Sequence, residues 1–274
     1  MQTAVTEKNP MSSGFATAAV IPTDGRPCAI TYHEIEPEHS TDIYRISCGE
    51  LEQHLIMLDG LRKKAPRGFP IPQVTFDDGH ISNYQYAPAL LEKHGQKAIF
   101  FLVASDMSKR PQTMTWEQAR EMVSMGHEMQ SHTWSHRRLP GCTDSDLDVE
   151  LRRSRETIEE HLGMRVDAIS IPYGRWDRRV LEGCARAGYR RVYTSDPWIV
   201  PGMRSGVMVF GRLTIRSTMD GEGLEKKLTL DGAPLRTERA KYHAKQVVKQ
   251  VLGDKIYHRL WSRFVGRDEP KEMA

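Results

Sequence analysis

Two adjacent carboxylates in Thr75-Phe-Asp-Asp-Gly79 are the first residues whose types and spacing carry chemistry. Asp77 and Asp78 repel each other when both are charged and poorly hydrated, which raises one pKa unless a cation or a donor compensates. A divalent ion meets that need. Asp78 can ligate it while Asp77 stays beside the activated water as a base, and Gly79 permits the tight turn that aims both side chains inward. Ser131-His-Thr-Trp-Ser-His136 supplies the nitrogen ligands. His132 and His136 are spaced i and i+4, which on a helical turn places both imidazoles on one face, close enough to share a metal. Position 133 is Thr, so this is not the H-E-x-x-H arrangement of zincins. Two histidines and one carboxylate leave coordination positions for water and substrate, as a catalytic ion requires. One divalent metal ion is therefore expected; zinc suits the mixed nitrogen and oxygen set best, and cobalt, nickel, manganese and iron(II) are the alternatives.

Further candidates lie downstream and upstream. In Ser170-Ile-Pro-Tyr-Gly174, Pro172 fixes the backbone and Gly174 lets it turn, so that the amide of Tyr173 can be held toward a developing oxyanion. Asp196-Pro-Trp198 adds a carboxylate and an aromatic face of the kind on which saccharide rings pack. Arg212 and Arg216 can stabilise negative charge or bind a phosphate, but a guanidinium does not give up its proton. His33 closes an apolar stretch and is a candidate for approach to the ion.

These residues need elements to hold them. Cys28 to His33, Pro72 to Asp78, Ala98 to Val103, Glu128 to Ser131, Ala168 to Ile171, Arg191 to Thr194 and Gly206 to Ile215 read as strands. Between them, helices are expected over Cys48 to Arg62, Tyr84 to Lys93, from Trp116 with Thr115 as cap, Ser145 to His161 and Trp176 to Ala187. Alternating strands and helices predict an α/β protein with a mostly parallel sheet. Seven strand candidates, with the polar residues at or just beyond their C-terminal ends, favour a distorted (β/α) barrel of seven parallel strands over an open sheet. From Arg236 onward the pattern predicts basic amphipathic helices carrying Val247, Val251, Ile256, Leu260, Trp261 and Phe264. The expected organisation is thus a flexible segment over 1–27, the barrel over 28–217 and an extension over 218–274.

Composition narrows the class. The 274 residues are 39% hydrophobic, 27% charged and 8% aromatic, which excludes a collagenous, low-complexity or strongly disordered chain. The longest apolar runs, such as Ala98 to Ala104, are too short to span a bilayer. No basic stretch leads into an apolar block near the N-terminus, so a cytoplasmic protein is expected. Cys28, Cys48, Cys142 and Cys184 are scattered, which fits reduced thiols. From Pro234 onward there are 10 Lys+Arg against 5 Asp+Glu, so the basic surplus sits in the tail and the body is slightly acidic. A nucleic-acid-binding core is excluded on that distribution. The tail helices are expected to pack on the body, to sit on anionic lipid at the inner membrane face, or to form a homo-oligomer interface.

Together, Thr75 to Gly79, His132-Thr133-x-x-His136 and Pro172-Tyr173-Gly174 resemble the motifs of the polysaccharide deacetylase, or NodB-homology, family, in the same order and over roughly Cys28 to Ser217. The resemblance implies a distorted (β/α) barrel and metal-dependent removal of an N-acetyl group from an aminosugar. It also implies Asp77 as general base, Asp78, His132 and His136 as ligands, and the Tyr173 amide as oxyanion donor. Two departures stand out. Ser170 occupies the place of a motif arginine that orients the base, and Gly211-Arg-Leu-Thr-Ile-Arg216 has no histidine where the family carries its acid. Asp77 itself or His33 would then serve as acid. The expected substrate is an N-acetylated aminosugar or glycan, with a phosphate-bearing precursor suiting Arg212 and Arg216. The alternatives are a deformylase or other amide hydrolase on the same fold, and a weakened metal-containing saccharide-binding protein.

Overall fold

The computed structural model describes residues 22, 25–64, 66, 69–230 and 232–252, with side chains up to residue 244. In chain order the elements are β1 (Ala29–Tyr32), β2 (Glu34–Glu36), β3 (Arg45–Ser47), α1 (Cys48–Lys64), β4 (Gln73–Phe76), α2 (Ile81–Lys93), β5 (Ala98–Leu102) and α3 (Trp116–Ser124). They continue with β6 (Glu128–Ser131), α4 (Asp144–Asp148), α5 (Ser154–Leu162), β7 (Ala168–Ser170), α6 (Arg178–Arg186) and β8 (Arg191–Thr194). Last come β9 (Gly202–Arg204), β10 (Val207–Thr214), α7 (Gly221–Thr229) and α8 (Gly232–Leu252).

Seven strands run parallel in the order β1-β4-β5-β6-β7-β8-β10, and β10 pairs back onto β1 through Ala29 with Arg212 and Ile30 with Leu213. The sheet is therefore a closed barrel of seven parallel strands followed by C-terminal helices. A short antiparallel β9 extends β10 at its outer edge, and β2 and β3 form a separate two-stranded sheet that periodicity did not reveal. The helix expected over Ser145 to His161 is instead α4 and α5 joined by a π-helical turn at Val149–Arg153. Residues 1–21, 23 and 24 of the N-terminal segment and the tail residues Ile256, Leu260, Trp261 and Phe264 lie outside the described residues, as do the side chains of Val247 and Val251. Among the described residues no helix is long and apolar enough to cross a membrane.

Strand alternation divides the core in two. On β5, Ala98, Phe100 and Leu102 face the helices, while Ile99 and Phe101 point into the barrel with Ala29, Ala168, Tyr193 and Phe210. Below this aromatic layer Tyr193 donates to Gln73 Oε1 at 2.7 Å, and Arg191 pairs with Glu128 at 2.8 Å and Asp167 at 2.7 Å. Above it the same parity sends Thr31, Thr75, Asp77, His132, Ser170 and Arg212 inward, so the interior becomes polar toward the C-terminal strand ends. One glycine controls the approach of the loop at that end. A Cβ on Gly211 would run into the carbonyl oxygen of Asp196 and press on the Ile199 backbone at 3.3 Å. Gly211→Ala should therefore cost about 2 kcal/mol or more in chemical denaturation, as overpacking does; an unchanged midpoint would show that the loop yields freely.

Candidate active site

The ligand set assembles at the C-terminal end of the barrel. Asp78 Oδ1 lies 3.4 Å from His132 Nε2 and 3.5 Å from His136 Nε2, and the three donor atoms fall within 4.8 Å of one another. His132 donates from Nδ1 to the Ser170 carbonyl at 2.9 Å, which turns Nε2 toward Asp78. Burial, reinforced by the charge of His132, pushes His136 down to about 4, so at neutral pH it is the unprotonated imidazole that ligation needs. On His132 burial opposes the charged form, but the carboxylates of Asp77 and Asp78 outweigh it and move the pKa up. One carboxylate and two imidazoles with converging donors fit a divalent ion with open positions.

The backbone that achieves this is strained. Asp78 (φ 71°), Thr133 (φ 68°), His136 (φ 59°) and Tyr173 (φ 58°) all adopt left-handed conformations that residues with a Cβ rarely take. His132 and His136 are not on a helical turn, as their spacing suggested. They lie in the irregular loop that follows β6, where the His136 N–H donates to Thr133 Oγ1 at 3.1 Å. In the turn after β7, a Cβ on Gly174 (φ 62°) would meet the Ser195 backbone nitrogen at 2.9 Å, so only glycine lets the Tyr173 turn pack so close.

Asp77 is buried beside the triad. Arg212 grips it through two bonds of 2.7 Å, one to each carboxylate oxygen, while Ser170 Oγ donates to Oδ2 at 3.1 Å and accepts from Arg212 Nη2 at 2.7 Å. The guanidinium also donates to Thr31 and Thr75 Oγ1, both at 3.2 Å, and rests over the Phe101 ring at 5.2 Å. Burial alone would raise the Asp77 pKa, but the adjacent Arg212 charge and its hydrogen bonds bring it down to about 2. The expectation that Arg212 meets a substrate phosphate is thereby corrected: it is 0% exposed and committed to Asp77. Sequence reasoning missed this partnership because the two residues are 135 positions apart.

A cleft of about 1000 Å³ opens over the site. His33, Asp77, Asp78, His132, His136, Tyr173, Asp196 and Arg216 all line it, whereas Pro172 is buried behind its turn. Trp198 borders the cleft but is only 3% exposed, and Asp196 spends one oxygen on the Trp198 N–H at 3.0 Å. Two tyrosines pack on histidines of the cleft. Tyr173 packs against His136 at 4.9 Å beneath Arg138, and Tyr44 against His33 at 5.3 Å beneath Arg216. His33 Nδ1 is buried without a hydrogen-bond partner, which marks it as a group waiting for one. Lys227 on α7, and Glu238, Lys241 and Tyr242 on α8, complete the far wall.

The polysaccharide deacetylase family model matches residues 66–192. A chitooligosaccharide deacetylase of Sinorhizobium fredii is 34% identical over 161 residues, which cover 53% of this chain and 69% of that protein. This chain belongs to the polysaccharide deacetylase family. It is also 30% identical to YxkH of Bacillus subtilis over 54% of its own length, and spans only about half (52%) of that relative. Among solved structures, the Streptococcus pyogenes deacetylase PplD in complex with acetate aligns with a TM-score of 0.64 at 21% identity, covering 75% of this chain and 98% of that one. IcaB from Ammonifex degensii aligns at 0.63 and 23%, covering 76% and 99%. Both share the fold. The match to the polysaccharide deacetylase model includes Asp77, Asp78, His132, His136 and Tyr173 but stops short of His33 on one side and Arg212 on the other.

The depressed pKa of Asp77 has a measurable sign. From an ordinary 3.8 it falls to about 2 on folding, so its ionised form contributes stability above about pH 4 that is lost as pH drops through 2. In metal-free protein the gap in unfolding free energy between wild type and Asp77→Asn should be widest above pH 4, and its pH-dependent part should be about 2 kcal/mol. A gap that stays flat from pH 6 to pH 2 would contradict the ion-pair assignment.

Proposed function

We propose that this protein is a metal-dependent hydrolase that removes the N-acetyl group from an aminosugar in a glycan or glycan precursor. One observation carries the reading: an ionised, immobilised Asp77 lies directly beside the Asp78–His132–His136 triad in the wall of a cleft large enough for a sugar chain. Family membership and the likeness to a chitooligosaccharide deacetylase support the substrate class.

Asp78, His132 and His136 would hold the ion, with zinc the best match to their donor set. When bound, a divalent ion there supplies a Lewis acid that polarises an amide carbonyl and acidifies water, and a carboxylate as weakly basic as Asp77 depends on that acidification. Asp77 takes the proton as the water oxygen attacks the carbonyl carbon, and the Arg212 fork keeps the carboxylate ionised and in one orientation. The Tyr173 backbone N–H donates to the developing oxyanion. His33, whose ring lines the same cleft, gives a proton to the sugar nitrogen as the carbon–nitrogen bond breaks, releasing acetate and a free amine. Proton exchange with solvent restores both groups. This gives the acid's role to His33 in place of the histidine missing near Arg212.

The test is acetate release from a panel of N-acetylhexosamine oligomers, nucleotide sugars and lipid-linked sugars, with protein stripped of metal and reloaded with zinc, cobalt or manganese. Metal-dependent release is expected. Asp77→Asn should lower it by about 100-fold or more with the ion still bound, and Arg212→Lys should also lower it, because an ammonium cannot form the two-pronged contact. Folded, metal-loaded protein that releases nothing across the panel would overturn the reading. Release of formate in place of acetate would move it to another amide substrate.

A further inference from the structure

Neither histidine ligand sits on a helix or strand, so something outside the metal centre must hold their loop in its left-handed conformation before any ion arrives. The π-helical turn at Val149–Arg153, together with Ser154 that opens α5 directly after it, touches that loop at three successive points. At the loop's base, Ser154 Oγ bonds Ser131 Oγ at 2.7 Å, and Ser131 Oγ in turn accepts the Thr133 N–H at 3.1 Å. In its middle, the Glu150 carbonyl accepts the Trp134 N–H at 3.0 Å, and Arg153 lies over the Trp134 ring at 3.9 Å. At its crest the two Glu150 carboxylate oxygens accept the Ser135 N–H at 2.9 Å and the Ser135 hydroxyl at 2.5 Å.

Glu150 is 2% exposed, although it belongs to a charged surface helix. A buried carboxylate is costly unless its lone pairs are met, and here both oxygens are met by the single residue Ser135, which directly precedes His136. The helical break fits the same purpose. A π turn inserts one residue into an α-helix and changes which side chains face a neighbour, and such turns are frequent at functional sites. In this chain the turn brings Glu150 and Arg153 to bear on the loop, and Ser154, the first residue of α5, follows them onto it.

We propose that Glu150 is a positioning residue for the metal centre, and that the π turn is a clamp that sets His132 and His136 in ligating geometry ahead of the ion. The proposal rests on the reading of Asp78, His132 and His136 as ligands, and it makes metal affinity depend on a contact remote from the ion. Hydrogen bonds behind the ligands commonly govern affinity by 10- to 100-fold.

Calorimetric titration of metal-stripped full-length protein with zinc or cobalt tests this. Wild type should bind one ion at the triad. Glu150→Ala should weaken that binding by about 10- to 100-fold while keeping the wild-type circular dichroism, and Glu150→Gln, which retains one acceptor, should fall between. Ser135→Ala, at an exposed position that folding tolerates, should weaken it about 3- to 10-fold, since one of the two Glu150 contacts survives as a backbone donor. The visible spectrum of the cobalt form should shift in Glu150→Ala if the ligand geometry has changed. Folded Glu150→Ala with wild-type affinity and spectrum would overturn the proposal. Amide exchange of Trp134 and Ser135 in metal-free protein separates this from failure of the metal reading. If wild type binds no ion, protection that vanishes in Glu150→Ala still establishes the clamp on the loop, and protection that persists refutes it.

Discussion

A carboxylate buried inside a barrel stays charged only where a cation is buried with it, and the Asp77–Arg212 pair is the contact around which the catalytic end of this molecule is arranged. Neither partner is tolerable alone in that setting, because removing one leaves an uncompensated charge away from water. The pair requires barrel closure. Arg212 is on the last strand, two inward-facing positions below Asp77 in the register that runs from Arg212 to Ala29 to Gln73, and only the pairing of β10 with β1 brings it under β4. An arginine is long enough to rise from that level past Thr31 and Thr75, and its flat fork meets both oxygens at once.

The two ends of the barrel use the same ingredients differently. At the N-terminal end, Arg191 is shared between Glu128 and Asp167. At the C-terminal end, the guanidinium is matched to one carboxylate, which in turn borders the open ligand cluster. Between them the Phe101, Tyr193 and Phe210 layer separates the two charged groups, so the catalytic end is polar without the barrel being a pore. Left-handed backbone at Asp78, Thr133, His136 and Tyr173 is concentrated around the candidate ligands, and backbone N–H groups donating to Ser131, Glu150 and Thr133 sustain it in the histidine loop.

Much of this was legible from residue types and order. The seven strands and the Thr115 cap stand where residue order placed them, because short apolar runs bounded by turn residues and capping are local signals, and Asp78, His132 and His136 come together as a group that could hold a metal. Other features depended on distant contacts. The i,i+4 spacing of His132 and His136 suggested a helix, but a loop bent at Thr133 and His136 also brings their Nε2 atoms together. Arg212 read as an anion binder because its partner is 135 residues away. Glu150 fell unremarked within the helix expected over Ser145 to His161, since a π turn leaves no mark in composition.

What the sequence determined by itself was the alternation of strands and helices and the side chains that could hold a metal, since both follow from short-range pattern and from ligand chemistry. Tertiary structure alone decided which cation neutralises Asp77, which carboxylate braces the histidine loop, and that His33 shares the cleft with the triad. Each of these joins residues from elements far apart in the chain, and barrel closure and packing, not local propensity, choose such neighbours.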